Sequence, residues 1–249
     1  MKTSIMKKTI LPPSEKTHVL RLSHGTDDLM MKNDGLLLEE EIRQTHARIW
    51  RRIAERLLDF RRIWEQGSNK DLFNELVFCL LTPSSRARSA SLALEQLKQK
   101  DLLFNGSAEQ IAEYLNIVRF RYKKSRFIVA ARDRFFGNRT ASLRQTLMGF
   151  ESGFERRRWF AENISGMGYK EASHFLRNIG LEEKTAILDR HILRKMCSAG
   201  LLDSVPESLT GRQYVRVEKL FVDYSKRIGI PAAYLDFTLW FMATGDVYK

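Results

Sequence analysis

An all-α fold is what this sequence predicts, and three observations predict it. Apolar residues recur at helical spacing along most of the chain from Glu39 onward. No segment alternates apolar and polar residues between turn signals, as a half-buried strand would. Helix starts and stops are written into the chain, with capping residues ahead of apolar runs and glycines after them. The 249 residues suit one large domain or two smaller lobes sharing a cleft, and 43% hydrophobic residues supply a core.

Residues 1–38 show no sustained period and are expected to form an N-terminal extension, poorly ordered or loosely packed. The folded domain is expected over 39–249. Its first helix carries Ile42, Ile49, Trp50, Ile53, Leu57, Phe60 and Trp64 on one face, with arginines such as Arg43, Arg48 and Arg52 on the other, and Gly67 ends it. The run "DLFNELVFCLL" is apolar nearly all round and predicts a buried helix. In "TPSSRARSASLALEQLKQK", Thr82 is the expected cap and Pro83 the first helical position. Ser107 to Gln110, "SAEQ", has the form of a capping box ahead of "IAEYLNIV". The helix of "YKKSRFIVAARDRFF" stops at Gly137. Then "FERRRWFAENI", "SGMG" and "YKEASHFLRNI" predict a helix, a tight hairpin and a second helix closed by Gly180, a motif over about 154–180. Asp189 opens "DRHILRK", and helices over Arg212–Ile228 and Pro231–Ala243 finish the chain.

The formal net charge of +12 points to a polyanionic partner, with nucleic acid ahead of an anionic membrane surface. No apolar run approaches the roughly 18–20 residues of a spanning helix. The basic N-terminus lacks the apolar core of a signal peptide, so a cytoplasmic, nucleoid-associated protein is expected. Cys79 and Cys197 read as packing residues in a reducing compartment. Two cysteines cannot hold a four-cysteine iron–sulfur cluster, and no His, Cys, Asp and Glu set has metal-site spacing, so no transition metal is expected. Basic clusters recur in "RRIAERLLDFRR", "RFRYKKSR", "ERRR" and "DRHILRK". Each alone is an ordinary solvated helix face; together they could form one phosphate-binding face.

The hairpin poses the chemical question. Gly166 and Gly168 permit positive φ and close backbone approach, and a turn that opens a helix presents N–H groups able to hold a phosphate. An ordinary packing corner has the same spacing. Lys170 stands at the start of the second helix, where the unpaired N–H groups make a positive end that favours acids. A free lysine amine, with pKa near 10.4, is protonated at neutral pH and cannot attack carbon. A helix start, a dry pocket and nearby arginines all disfavour the ammonium form. The position is poor for stability and suited to a nucleophile. Asp189 reads as an N-cap, its carboxylate kept ionised by backbone N–H groups.

The segments "NELVFCLLTPSSRARSA", "VRFRYKKSRFIVAAR", "GYKEASHFLRNIG", "ILDRHILR" and "LDFTLWFMATGDVYK" resemble the helix–hairpin–helix DNA glycosylase superfamily. Within it they are similar to the second family of 8-oxoguanine DNA glycosylases/AP lyases, known from archaea and some bacteria. The resemblance covers about residues 39–249. It implies two helical subdomains flanking a cleft, and a monomer acting on damaged double-stranded DNA. It implies that the amine of Lys170 attacks C1′ of the damaged nucleotide, and that β-elimination then cuts the strand. Asp189 would stabilise the positive charge that develops on the sugar as the base departs.

The same resemblance implies that Trp240 stacks on a flipped base and that Lys249 reaches the base pocket. Asp236, one helical turn before Trp240, is the candidate hydrogen-bond acceptor, and Phe120 the candidate opposite wall. Gly166, Gly168, Arg190 and His191 are the expected DNA-binding residues. Ser84 and Ser85 fall where the family places the loop that fills the gap left by the extruded base. A monovalent cation could sit in the hairpin on the carbonyls of Glu162, Ile164 and Met167; no other cofactor is implied. Two rival readings remain: a superfamily member for another oxidised base, and a non-catalytic DNA-binding module.

Overall fold

The computed structural model describes residues 24–137 and 141–248, with side chains from Gly35 onward. Among the described residues there are twelve helices and no strand. They are α1 (His24–Gln66), α2 (Asn69–Leu81), α3 (Ala87–Gln99), α4 (Leu102–Asn105), α5 (Ala108–Tyr114), α6 (Arg121–Phe136), α7 (Leu143–Met148), α8 (Gly153–Asn163), α9 (Tyr169–Asn178), α10 (Arg190–Ser198), α11 (Gly211–Ile228) and α12 (Ala232–Thr244). The four-residue α4 and six-residue α7 were too short to carry a readable period.

The helices form two lobes. The larger gathers α2 to α9 around Phe73, Leu76, Phe78, Phe160 and Phe175. The smaller gathers α10, α11 and α12 around Ile192, Met196, Phe221 and Leu235. A third apolar cluster joins α1 to α12 through Ile53, Phe60 and Phe237. At 1.5 Å per residue, the 43-residue α1 is about 65 Å long. It gives Leu38 and Ile42 to the smaller lobe, Ile49, Ile53, Leu57 and Phe60 to the joining cluster, and Ile63 and Trp64 to the larger lobe. The helix runs from His24, so the boundary expected at residue 38 falls inside it; among the described side chains, Leu38 is the first that is buried.

Local chemistry sets most boundaries. Helix α2 is buried nearly all round, as its composition requires, and Ser68 and Asp71 form a capping box at its start. Ser107 and Gln110 form the expected box on α5. One helix start differs from expectation. Pro83 does not open α3: Thr82 is the C-cap of α2, residues 83–85 form a turn, and α3 begins at Ala87. The cause is Lys124, whose ammonium donates to the carbonyls of Leu81 (2.6 Å) and Pro83 (2.8 Å) and to Ser85 Oγ (3.0 Å). One ammonium thus ties together the end of α2 and the two sides of the turn at residues 83–85.

Gly180, two residues past the end of α9, shows how closely that helix seats on α1. Its φ is +71°, and a Cβ there would lie 2.5 Å from the Cα of Arg61. Backbone cannot yield as a side chain can. Gly180→Ala is therefore expected to cost about 2 kcal/mol or more, from left-handed strain plus the clash, read as a lower urea midpoint.

Candidate active site

A cavity of about 830 Å³ opens between the lobes, in the range of sites that enclose a small organic ligand. Five segments line it: the turn between α2 and α3 with the start of α3, one face of α9, the start of α10 with the residues leading into it, α12 from Asp236 to its end, and the tail after α12.

Helix α9 starts at the hairpin. Gly166 has φ +85°, and the ring of Phe127 lies 2.1 Å from where its Cβ would be, so both the turn and the packing exclude a side chain. Gly168 is the N-cap, and its N–H donates to Glu171 Oε2 at 3.2 Å. Lys170 follows as the second helical residue, one quarter exposed, with Glu171 Oε1 3.5 Å from its Nζ. His174 and Arg177 continue the same face at i+4 and i+7, and both line the cavity. That stripe was readable in the sequence once Lys170 was chosen, and it was missed.

Asp189 faces the same cavity as the N-cap of α10. Its Oδ1 accepts the N–H of His191 (2.8 Å) and of Ile192 (2.9 Å). A carboxylate there sits at the favourable end of a helix; Lys170 sits at the unfavourable end of its own. Arg190 lines the cavity from an exposed position and donates to the Pro206 carbonyl at 3.0 Å. His191 stands edge-on to Trp240, with ring centroids 5.2 Å apart.

Helix α12 brings Trp240 and Asp236 to the cavity one turn apart. Asp236 is not a free acceptor: Arg177 Nη1 donates to its Oδ2, and both side chains are buried. Burial pushes the Asp236 carboxyl above the usual carboxylate range while the Arg177 guanidinium pulls it back. Burial likewise lowers Arg177, and Asp236 opposes that. Each group offsets part of the other's cost of burial.

Phe120 does not reach the cavity. It is the N-cap of α6 with φ 60°, and this left-handed turn throws the ring outward, 59% exposed, with the Arg119 guanidinium 5.4 Å from its centroid. The aromatic rings beside Trp240 in the cavity are instead those of Phe237 and Tyr248. Tyr248 is fastened by a 2.6 Å hydrogen bond to Ser91, and neighbouring Asp246 by Arg88 at 2.6 Å. Lys249 lies outside the described residues.

At the rim, Ser84 is exposed with φ 55°, while Ser85 is committed to bracing the turn, accepting from Arg119 N at 3.0 Å. The basic clusters divide. Arg86, Arg88 and Arg190 are exposed around the mouth. Arg157 of "ERRR" and Lys124 of "RFRYKKSR" are 1% and 3% exposed, so they belong to the interior rather than to a phosphate-facing surface. Burial pulls Lys124 down to about 8, with the nearby charge of Lys170 adding to the effect.

A helix–hairpin–helix motif at the edge of a cleft between two helical lobes, with a lysine and an aspartate at two helix starts, is the fold of a helix–hairpin–helix DNA glycosylase. Residues 53–230 match the family model described as 8-oxoguanine DNA glycosylase. The chain is 41% identical over 220 residues to an 8-oxoguanine DNA glycosylase/AP lyase of Fusobacterium nucleatum, covering 88% of this chain and all of that one. A protein of the same name from Korarchaeum cryptofilum is 37% identical, over 90% of this chain and all of its own length. The solved Methanocaldococcus jannaschii 8-oxoguanine glycosylase/lyase, in complex with a 15mer DNA containing 8-oxoguanine, superimposes with a TM-score of 0.77 at 31% identity, covering 86% of this chain and 100% of that one. The chain belongs to the 8-oxoguanine DNA glycosylase family.

Proposed function

We propose that this chain excises 8-oxoguanine from DNA and then cleaves the strand at the abasic site. The observation that carries the reading is that Lys170 and Asp189 line one cavity, each at a helix start. A base inside a duplex stack must be extruded to enter such a cavity, and Trp240 offers it a flat face. The neutral amine of Lys170 attacks C1′; the bond from C1′ to the base nitrogen breaks, and the base leaves with the electron pair. Asp189 is placed to stabilise the positive sugar in that step. The bound amine then becomes a Schiff base on the opened sugar. Loss of a proton from C2′ expels the 3′ phosphate and cuts the strand.

A monovalent cation at the hairpin is part of this proposal. The Ile164 carbonyl already accepts the Met167 N–H at 3.1 Å but keeps a second lone pair, so it remains able to contribute with the carbonyls of Glu162 and Met167.

The test is a set of duplexes, each with one 8-oxoguanine, one oxidised pyrimidine or one abasic site, incubated with borohydride. Covalent adducts on the 8-oxoguanine and abasic duplexes are expected. Binding without any adduct would leave a DNA-binding module, and faster excision of the pyrimidine would move the enzyme to another substrate.

Affinity for undamaged duplex should fall steeply with salt. Each phosphate neutralised adds about −0.9 to the log–log slope. Buried Lys124, Arg157 and Arg177 should not count toward it, whereas Arg86, Arg88 and Arg190 should. Removing one of the exposed three is expected to reduce the slope by about one unit; an unchanged slope for all three would place the DNA on another face.

A further inference from the structure

Behind the cavity wall lies a buried polar network that the reaction described above does not use. Residues 186–188 lead directly into Asp189, and side chains from the smaller lobe take their backbone groups. The N–H of Ala186 donates to Glu218 Oε1 at 3.0 Å. The Tyr214 hydroxyl donates to the Ala186 carbonyl at 2.7 Å and accepts from the Leu188 N–H at 3.1 Å. The carboxylate of Asp236 takes the Ile187 N–H. From the other side, Arg157 of α8 donates to Glu218 Oε1 and, at 3.2 Å, to Ser173 Oγ. Ser173 lies three residues after Lys170 on α9, on the turn that follows it. Arg157, Ser173, Tyr214 and Glu218 are all buried. The Arg157 guanidinium also lies over the rings of Tyr169 and Tyr214, 5.3 and 5.5 Å from their centroids.

Stability is a poor reason for such a cluster. Taking two charges out of water costs several kcal/mol each, and well-packed apolar residues of similar volume often do as well or better. What the pair does that apolar residues cannot is fix directions. One carboxylate oxygen accepts both from the backbone leading to Asp189 and from an arginine tied to the helix that carries Lys170.

We propose that the Arg157–Glu218 pair, with Tyr214 and Ser173, is a positioning device that holds Asp189 in register with Lys170 across the two lobes. The proposal rests on the roles given above to those two residues. A shift of about 1 Å between reacting groups can slow a reaction by roughly 100-fold.

The test uses the full chain with two variants. Arg157→Met/Glu218→Leu removes both charges together, leaving neither stranded. Tyr214→Phe removes two hydrogen bonds and no charge, and serves alone if the double variant does not fold. The double variant should melt within a few degrees of the parent and keep its KM for 8-oxoguanine duplex. Its single-turnover excision rate should fall by about 10- to 100-fold, and that of Tyr214→Phe by several-fold. In an Asp189→Asn background the same changes should cost little more, because the group they position is already gone. A folded double variant and Tyr214→Phe that both excise at the parent rate would overturn the inference. So would losses that multiply fully with Asp189→Asn. If Lys170→Gln and Asp189→Asn keep full activity in the same assay, the assignment of the site fails instead.

Discussion

Lys170→Gln is expected to abolish the borohydride-trapped adduct and to slow strand cleavage by about 10³-fold or more, a loss of about 4 kcal/mol or more of transition-state stabilisation. Glutamine keeps the length of the side chain and much of its polarity. The neighbouring Glu171 still satisfies the Gly168 N–H, so the hairpin should stand. Removing an unfavourable cation from the first turn of α9 should leave stability unchanged or slightly raised. Binding to damaged duplex should persist, because the exposed arginines around the cavity mouth are untouched. An adduct of undiminished yield would move the nucleophile elsewhere.

Asp189→Asn should slow base release by about 10²- to 10⁴-fold, or about 3–5 kcal/mol, while barely affecting the fold. The substitution separates the two duties of the residue. Asparagine caps a helix about as well as aspartate, so the N–H groups of His191 and Ile192 still find an oxygen and α10 still begins at Arg190. Only the charge is lost. A melting point near the parent with a near-normal single-turnover rate would reduce Asp189 to a cap.

What could be read from the sequence was local. Helix α2 declares itself by composition, α5 by its capping box, and the hairpin by two glycines ahead of an amphipathic run. The helix starts at Lys170 and Asp189 were legible because a cap is a local feature and a lysine in a first turn is out of keeping with it; the chemistry expected of the two came from the family resemblance. Trp240 came from the family resemblance, and Asp236 from its place one helical turn before it. The rest depends on partners far along the chain. Nothing in "ERRR" says that Arg157, alone of its three arginines, turns inward to a glutamate 61 residues on. Nothing in "YKK" says that Lys124 seeks carbonyls 41 and 43 residues earlier, and so turns Pro83 from an expected helix start into part of a turn. Phe120 was misread for a related reason. Its aromatic character suggested a wall, but the left-handed backbone that aims it away is visible only in the fold.

Helix α1, which touches all three apolar clusters, makes the molecule mechanically stiff. Neither lobe can come away without stripping apolar residues from the same continuous rod. The halves should melt as one cooperative unit, with no state in which the cleft hangs open and its walls remain folded. The compliance needed to bring a nucleotide into the cavity must then come from the nucleic acid. The work of unpairing, unstacking and bending is charged to the duplex, and a lesion in a weakly paired or easily kinked setting offers the least resistance.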